Sequence, residues 1–192
     1  MSKDNRCHWC LSEEIYMEYH DTEWGLPVYD DQKQFEFLVL ESAQAGLSWL
    51  TILKRREGYR RLYDGFDARL VAEYTEERIQ KMLLDAGIIR NRKKIESSVN
   101  NAQKFLEIQA QHGSFCSYIW GFVDGEQVVN HFQDLSQIPA TTPLSDTISK
   151  DLKQKGFKFL GSTIIYAHLQ ATGLVNDHLT SCFRHTECTS EV

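Results

Sequence analysis

Phe35-Glu36-Phe37-Leu38-Val39-Leu40-Glu41-Ser42-Ala43-Gln44-Ala45 is apolar almost all the way round a helical wheel, the pattern of a helix buried in a core. Asp31 opens the run and Gly46 closes it, so the reading is a helix from Asp31 to Ala45. One carboxylate sits on that surface, since Glu41 lies between Phe37 and Ala45 with Leu38 beside it. A buried Glu must be paired, hydrogen-bonded or protonated, and such groups often mark functional sites. A Glu bonded to a nearby Arg or helix end fits this stretch equally well.

Helical periodicity and helix punctuation recur on both sides of this run. The spacing predicts helices from Glu13 to His20 and from a Ser48 cap to about Tyr63. Another starts after Thr75, with Glu76 and Glu77 in its first turn, and stops at Gly87. Further helices are expected at Arg92–His112, Ser145–Lys155 and Thr163–Thr172, with a short last one near Asp177–Phe183. Only Glu126–Val129 reads as extended, within the loop-like stretch 124–143. The fold class is all-α, a compact helical bundle. A chain of 192 residues suits a single domain over 1–192, with room for two helical lobes.

Composition narrows the function classes. The 42% hydrophobic content is that of a globular chain, and no apolar run reaches a membrane span or a signal peptide. The expectation is a cytoplasmic protein with no membrane partner. Five cysteines, an odd number, read as thiols or metal ligands rather than a disulfide frame. The net charge of −6 counts against a general nucleic-acid binder. Positive charge is nevertheless concentrated in Lys54-Arg55-Arg56, Arg60-Arg61, Arg90-Asn91-Arg92-Lys93-Lys94 and Lys150 to Lys158, and a local basic face is enough for phosphates.

Three groups of residues can carry chemistry. His178 and Cys182 stand four apart, a spacing that a helix places on one face. With Cys7 and His20 they make two sulfurs and two nitrogens, a closed set for structural zinc. Cys7-His8-Trp9-Cys10 offers a competing Cys-x-x-Cys pair, and free thiols with surface histidines fit the spacing as well. Around Glu41 the rings gather: Tyr16, Tyr19 and His20 can share a helical face, and Trp9, Trp24 and Trp49 are close in sequence. Rings at such spacing usually form core, yet around a carboxylate they also make a slot for a flat heterocycle. Lastly, Lys155-Gly156-Phe157-Lys158-Phe159-Leu160-Gly161-Ser162 has the grammar of a helix-hairpin-helix, whose turn offers backbone N–H groups to a DNA phosphate. Asp85-Ala86-Gly87-Ile88-Ile89-Arg90 is a second hairpin of similar grammar.

Four ordered motifs carry a family resemblance. They are Tyr19-His20-Asp21-x-Glu23-Trp24-Gly25, Leu40-Glu41-x-x-x-Ala45-Gly46-Leu47-Ser48-Trp49, Gly156-Phe157-Lys158-Phe159-x-Gly161 and Gly173-Leu174-Val175-Asn176-Asp177-His178. From about Cys7 to Cys182 the chain resembles the 3-methyladenine DNA glycosylase I family, within the helix-hairpin-helix glycosylases. The resemblance implies one structural Zn2+ on Cys7, His20, His178 and Cys182, joining the N- and C-terminal segments. It implies a base pocket of Glu41, Tyr19 and Trp49, with Tyr16, Trp9 and Trp24 around them, and gives Glu41 the catalytic role. It puts Leu47, preceded by Gly46, in the gap an extruded nucleotide leaves, and Gly161 and Ser162 against phosphates. Cys10 lies outside the family pattern, and Asn176 stands where related glycosylases carry a catalytic Asp.

The implied function is monofunctional hydrolysis of the 3-methyladenine N-glycosidic bond in alkylated double-stranded DNA, by a monomer that starts base excision repair. N3-methylation leaves the base cationic, so it departs neutral and needs little acid assistance. Extrusion, recognition and placement of water are then the main tasks. Two rivals are a silent helix-hairpin-helix DNA-binding module and a zinc hydrolase of small molecules.

Overall fold

The computed structural model describes residues 5–190; the ends of the expected domain, 1–4 and 191–192, lie outside the described residues. The described residues form eleven α-helices: α1 (Glu14–Thr22), α2 (Asp31–Gln44), α3 (Trp49–Leu53), α4 (Arg56–Leu62), α5 (Ala68–Ala72), α6 (Glu76–Leu84), α7 (Arg92–His112), α8 (Phe115–Trp120), α9 (Pro143–Gln154), α10 (Ser162–Ala171) and α11 (Phe183–Ser190). Two short strands, β1 (Val128–Val129) and β2 (Val175–Asn176), pair in parallel.

The helix α2 is the axis of the molecule. Gln34 through Ala43 are all buried, and α3, α7, α8 and α10 pack around them. Asp30 caps its start by accepting from the Lys33 amide. Asp31 accepts from the amides of Phe115 and Cys116 at 2.8 Å each, docking the first turn of α8 on the first turn of α2. At the other end, the Lys94 ammonium donates to the carbonyls of Ala43 and Ala45 at 2.7 Å, satisfying two carbonyls beyond the helical ladder. Lys94 of the basic run is therefore an internal cap.

Several expectations need correction. The stretch Ser48–Tyr63 is two helices, broken at Lys54–Arg55; the break leaves Lys54 outside on Glu13 while Arg56 turns in to Glu23 and Glu36. Periodicity missed α5 and α8, which are too short to show it. The segment 124–143 is loop-like as expected, with its one strand, β1, inside the stretch read as extended; β1 binds β2, and Asp134 and Gln137 form a capping box. The last helix is misplaced. Residues 177–182 form an irregular turn, and α11 begins only at Phe183. His178 and Cys182 therefore share no helical face.

Candidate active site and metal-ligand cluster

Between α1, α2, α3 and α10 lies an open cavity of about 340 Å³, lined by Trp9, Tyr16, Tyr19, Trp24, Glu41 and Trp49. Every base-pocket residue expected from the sequence thus lies in one cavity. Sequence reasoning missed the rest of the wall: Gln44 on α2, Ala167 and Gln170 on α10, and Leu135 and Ile138 from the 124–143 segment. Gln44 and Gln170 fall at helical spacing from Glu41 and Tyr166, but nothing local says which face looks into a cavity. The rings brace one another: Trp9 meets Tyr16 at 4.8 Å and Trp24 at 5.0 Å, both edge to face, and Tyr19 meets Trp49 at 5.5 Å.

Two residues of this aromatic box each carry a buried polar atom without a hydrogen-bond partner, Glu41 at Oε2 and Trp49 at its indole Nε1. Burial alone pushes the Glu41 carboxyl up to about 8, because no cation or donor compensates the lost hydration. Burial, with the neighbouring Glu41 charge, also drives the Tyr19 phenol well up. A lone acceptor and a lone donor in a ring-lined slot are unmatched until a ligand arrives that carries both a donor and an acceptor edge.

The cluster of Cys7, His20, His178 and Cys182 is fully buried, with its donor atoms all within 4.8 Å of one another. Cys182 Sγ is 3.4 Å from His20 Nε2 and 3.6 Å from His178 Nδ1, and Cys7 Sγ is 3.8 Å from His178 Nδ1. A zinc tetrahedron with two thiolates and two imidazoles has edges of about 3.3–3.8 Å, so the donor set fits a metal ion. The hydrogen bond between the two sulfurs, supported by burial, drives Cys7 up and, with the imidazoles, holds Cys182 far down.

Surrounding groups orient these donors. His178 Nε2 donates to the Trp24 carbonyl at 2.9 Å, turning Nδ1 to the cluster. His20 Nδ1 bonds Asp21 at 2.8 Å, and Asp21 is itself gripped by Arg6. Gly25 is required here, because its φ of +83° suits glycine and an added Cβ would lie 2.9 Å from the His178 ring. Cys10 Sγ points away, donating to the Cys7 carbonyl at 3.1 Å. The cluster adjoins the cavity wall, with the His178 ring 4.5 Å from that of Trp24.

Asn176 and Asp177 are buried outside the cavity. The Asn176 side chain accepts from the His178 amide at 3.1 Å and donates to the His185 carbonyl at 3.0 Å. Asp177 accepts from Tyr166, from Gln170 at 2.7 Å and from Asn130 at 2.7 Å. Both side chains are occupied in holding the turn, which leaves Glu41 as the carboxylate of the cavity.

The expected DNA-facing residues lie on the surface. Gly46 holds φ +80° in open space, and Leu47 after it is 40% exposed. Gly161 is exposed and offers no side-chain cap to α10, while Ser162 Oγ bonds Ser145 Oγ at 2.8 Å. The basic runs fare unevenly. Lys54, Arg56, Arg60, Arg61 and Arg92 are engaged by carboxylates. Arg90, Lys93, Lys150, Lys153 and Lys158 have no ion pair among the described residues.

The chain matches the methyladenine glycosylase family over residues 9–185. It is 46% identical to DNA-3-methyladenine glycosylase 1 of Escherichia coli (strain K12), covering 92% of this chain and 95% of that protein. It is 44% identical to DNA-3-methyladenine glycosylase of Haemophilus influenzae, covering 92% and 96%. Its fold is similar to a crystal structure of 3-methyladenine DNA glycosylase I, with TM-score 0.91 and 46% identity over 93% of this chain and 98% of that one. A variant of 3-methyladenine DNA glycosylase I solved in complex with 3-methyladenine is also similar, with TM-score 0.90 and 38% identity over 93% and 96%. With the bare carboxylate, the aromatic cavity and these likenesses in agreement, the chain belongs to the methyladenine glycosylase family.

Proposed function

We propose that this chain is a DNA-3-methyladenine glycosylase, hydrolysing the N-glycosidic bond of 3-methyladenine in alkylated double-stranded DNA and so initiating base excision repair. The observation that carries the site assignment is the unpartnered Glu41 carboxylate in an aromatic slot. A neutral adenine returns little for ionising Glu41 in that slot. A cationic 3-methyladenine returns a charge-assisted hydrogen bond and stacking on Trp49, so methylation itself is read. Tyr19, Tyr16, Trp9 and Trp24 complete the box. Water adds to C1′ as the bond to the base nitrogen breaks, the bonding pair leaves with the cationic ring, and the base departs neutral. The proton from water passes to solvent. Among the described residues no lysine lines the cavity, which supports simple hydrolysis without a Schiff base.

The DNA reading follows the same surface. The turn 155–161 acts as a helix-hairpin-helix turn, with the uncapped amides of α10 at Gly161 and Ser162 on a phosphate. Leu47, presented by the Gly46 turn, fills the gap left by the extruded nucleotide. Cys7, His20, His178 and Cys182 hold one structural zinc that ties α1 to the C-terminal turn. Four protein donors make a closed set, which supports a structural metal over the hydrolase alternative. The protein works as a monomer of one domain, in the cytoplasm with the DNA. No helix among the described residues is long and apolar enough to cross a membrane. Incubation of methylated duplex DNA with the protein should release free 3-methyladenine, identified by chromatography. Retention of that base in the duplex would overturn the assignment.

A further inference from the structure

Two phenylalanines in this chain have left-handed backbones, Phe66 at φ +65° and Phe159 at φ +56°. That conformation is costly for a bulky side chain. Phe66 is 1% exposed, so core packing offsets its strain. Phe159 is 43% exposed, so packing does less to offset its own. The neighbours show how the strain is imposed. The Asn101 side-chain amide donates to the Lys158 carbonyl at 2.9 Å, and the Lys158 amide donates to Asn101 Oδ1 at 2.8 Å. On the other side Leu160 is buried, and its carbonyl accepts from Ser149 at 2.8 Å. Clamped before and after, the chain turns the phenyl ring outward at the tip of the turn between α9 and α10. On the flanking residues, Lys150, Lys153 and Lys158 are exposed with no ion pair among the described residues, and α10 starts without a side-chain cap.

We propose that Phe159 is a duplex-binding residue, whose ring packs on the deoxyribose of the strand held by the α10 amides. The partner is DNA because the surrounding groups are phosphate-binding in kind, three cations and free N–H groups, while a sugar face is the apolar surface between successive phosphates. The inference rests on reading the 155–161 turn as the DNA-facing element, and gives that element a side-chain contact beyond its amides.

The test compares Phe159→Gly and Phe159→Leu with the wild type in three assays. These are melting temperature, binding of free 3-methyladenine, and binding and excision on methylated duplex DNA. Glycine relieves the strain, so the melting temperature should hold or rise by about 2 °C. Free-base binding should stay unchanged, while duplex affinity falls about fivefold or more. Leucine should recover part of that affinity. A fall in melting temperature or in free-base binding with Phe159→Gly would make the ring a structural prop and overturn the proposal, as would unchanged duplex binding. If the wild type itself releases no 3-methyladenine, the parent function has failed instead, and the two failures are distinguished.

Discussion

The helix α2 carries two buried glutamates that meet opposite fates. Glu36 accepts from Arg56 at 2.8 Å and also pairs with Lys33 at 3.2 Å and Arg60 at 3.3 Å. Arg56 extends the pairing to Glu23, and these contacts, outweighing burial, hold the Glu23 carboxyl down at about 2. Glu41 has no cation and no donor on Oε2, and burial holds its carboxyl up at about 8. Five positions apart, the two side chains point about 140° apart around the helix, one toward a seam of arginines and the other into the ring-lined cavity. The first glutamate ties elements together. The second is kept unpaired and holds its proton until a cation meets it, so a cationic ligand is favoured where a neutral one is not.

The largest expected effect removes what both sides of this comparison share. Helix α1 holds Tyr19 in the cavity wall and ends at Glu23, the partner of Arg56, and His20 anchors it to the metal-ligand cluster. Cys182→Ser should lower bound zinc and reduce the melting temperature by about 10 °C or more. Cys10→Ser, whose hydroxyl can donate to the same Cys7 carbonyl, should change neither. Metal analysis beside calorimetry checks both, and an X-ray absorption shell of three sulfurs would bring Cys10 into the ligand set.

Next comes the paired glutamate. Glu36→Ala leaves the half-buried Arg56 with only Glu23 and should destabilise the fold by about 1–3 kcal/mol in denaturant unfolding. Glu41→Gln should do the reverse. The Glu41 carboxyl sits at about 8 against an ordinary 4.5, so ionisation favours the unfolded chain as pH rises through that window. The variant should therefore match the wild type near pH 4 and exceed it increasingly toward pH 8, by up to a few kcal/mol. Equal stability at both pH values would mean that Glu41 is not bare.

The same substitution should weaken binding of free 3-methyladenine by only about 0.5–1.5 kcal/mol, because the released base is neutral and one hydrogen-bonding group is exchanged for another. Glu36→Gln, if folded, should leave base binding within a factor of about two. The smallest effect is the most specific. A permanent cation such as 3,9-dimethyladeninium should bind more tightly as pH rises toward about 8 and then level off, because Glu41 must lose its proton to meet it. Calorimetry in buffers of different ionisation enthalpy should register up to one proton released at pH 7, and none with Glu41→Gln.

What the sequence alone determined was composition of the parts. The apolar run around Glu41, the starts at Ser48 and Thr75, and the long period of α7 announce an all-α fold, because helix punctuation acts over a few neighbouring residues. The tertiary structure decided how the parts are used. In sequence Glu36 and Glu41 look alike, and only Arg56, brought in by a break between α3 and α4, makes one of them a structural tie. His178 and Cys182 converge on Cys7 and His20 through an irregular turn rather than a helical face, so the helical reason for pairing them was wrong although they do meet. Leu135 and Ile138 join the cavity because a two-residue parallel ladder draws a loop-like segment onto the C-terminal turn. Pairing, exposure and enclosure are properties of elements far apart along the chain, and no local pattern carries them.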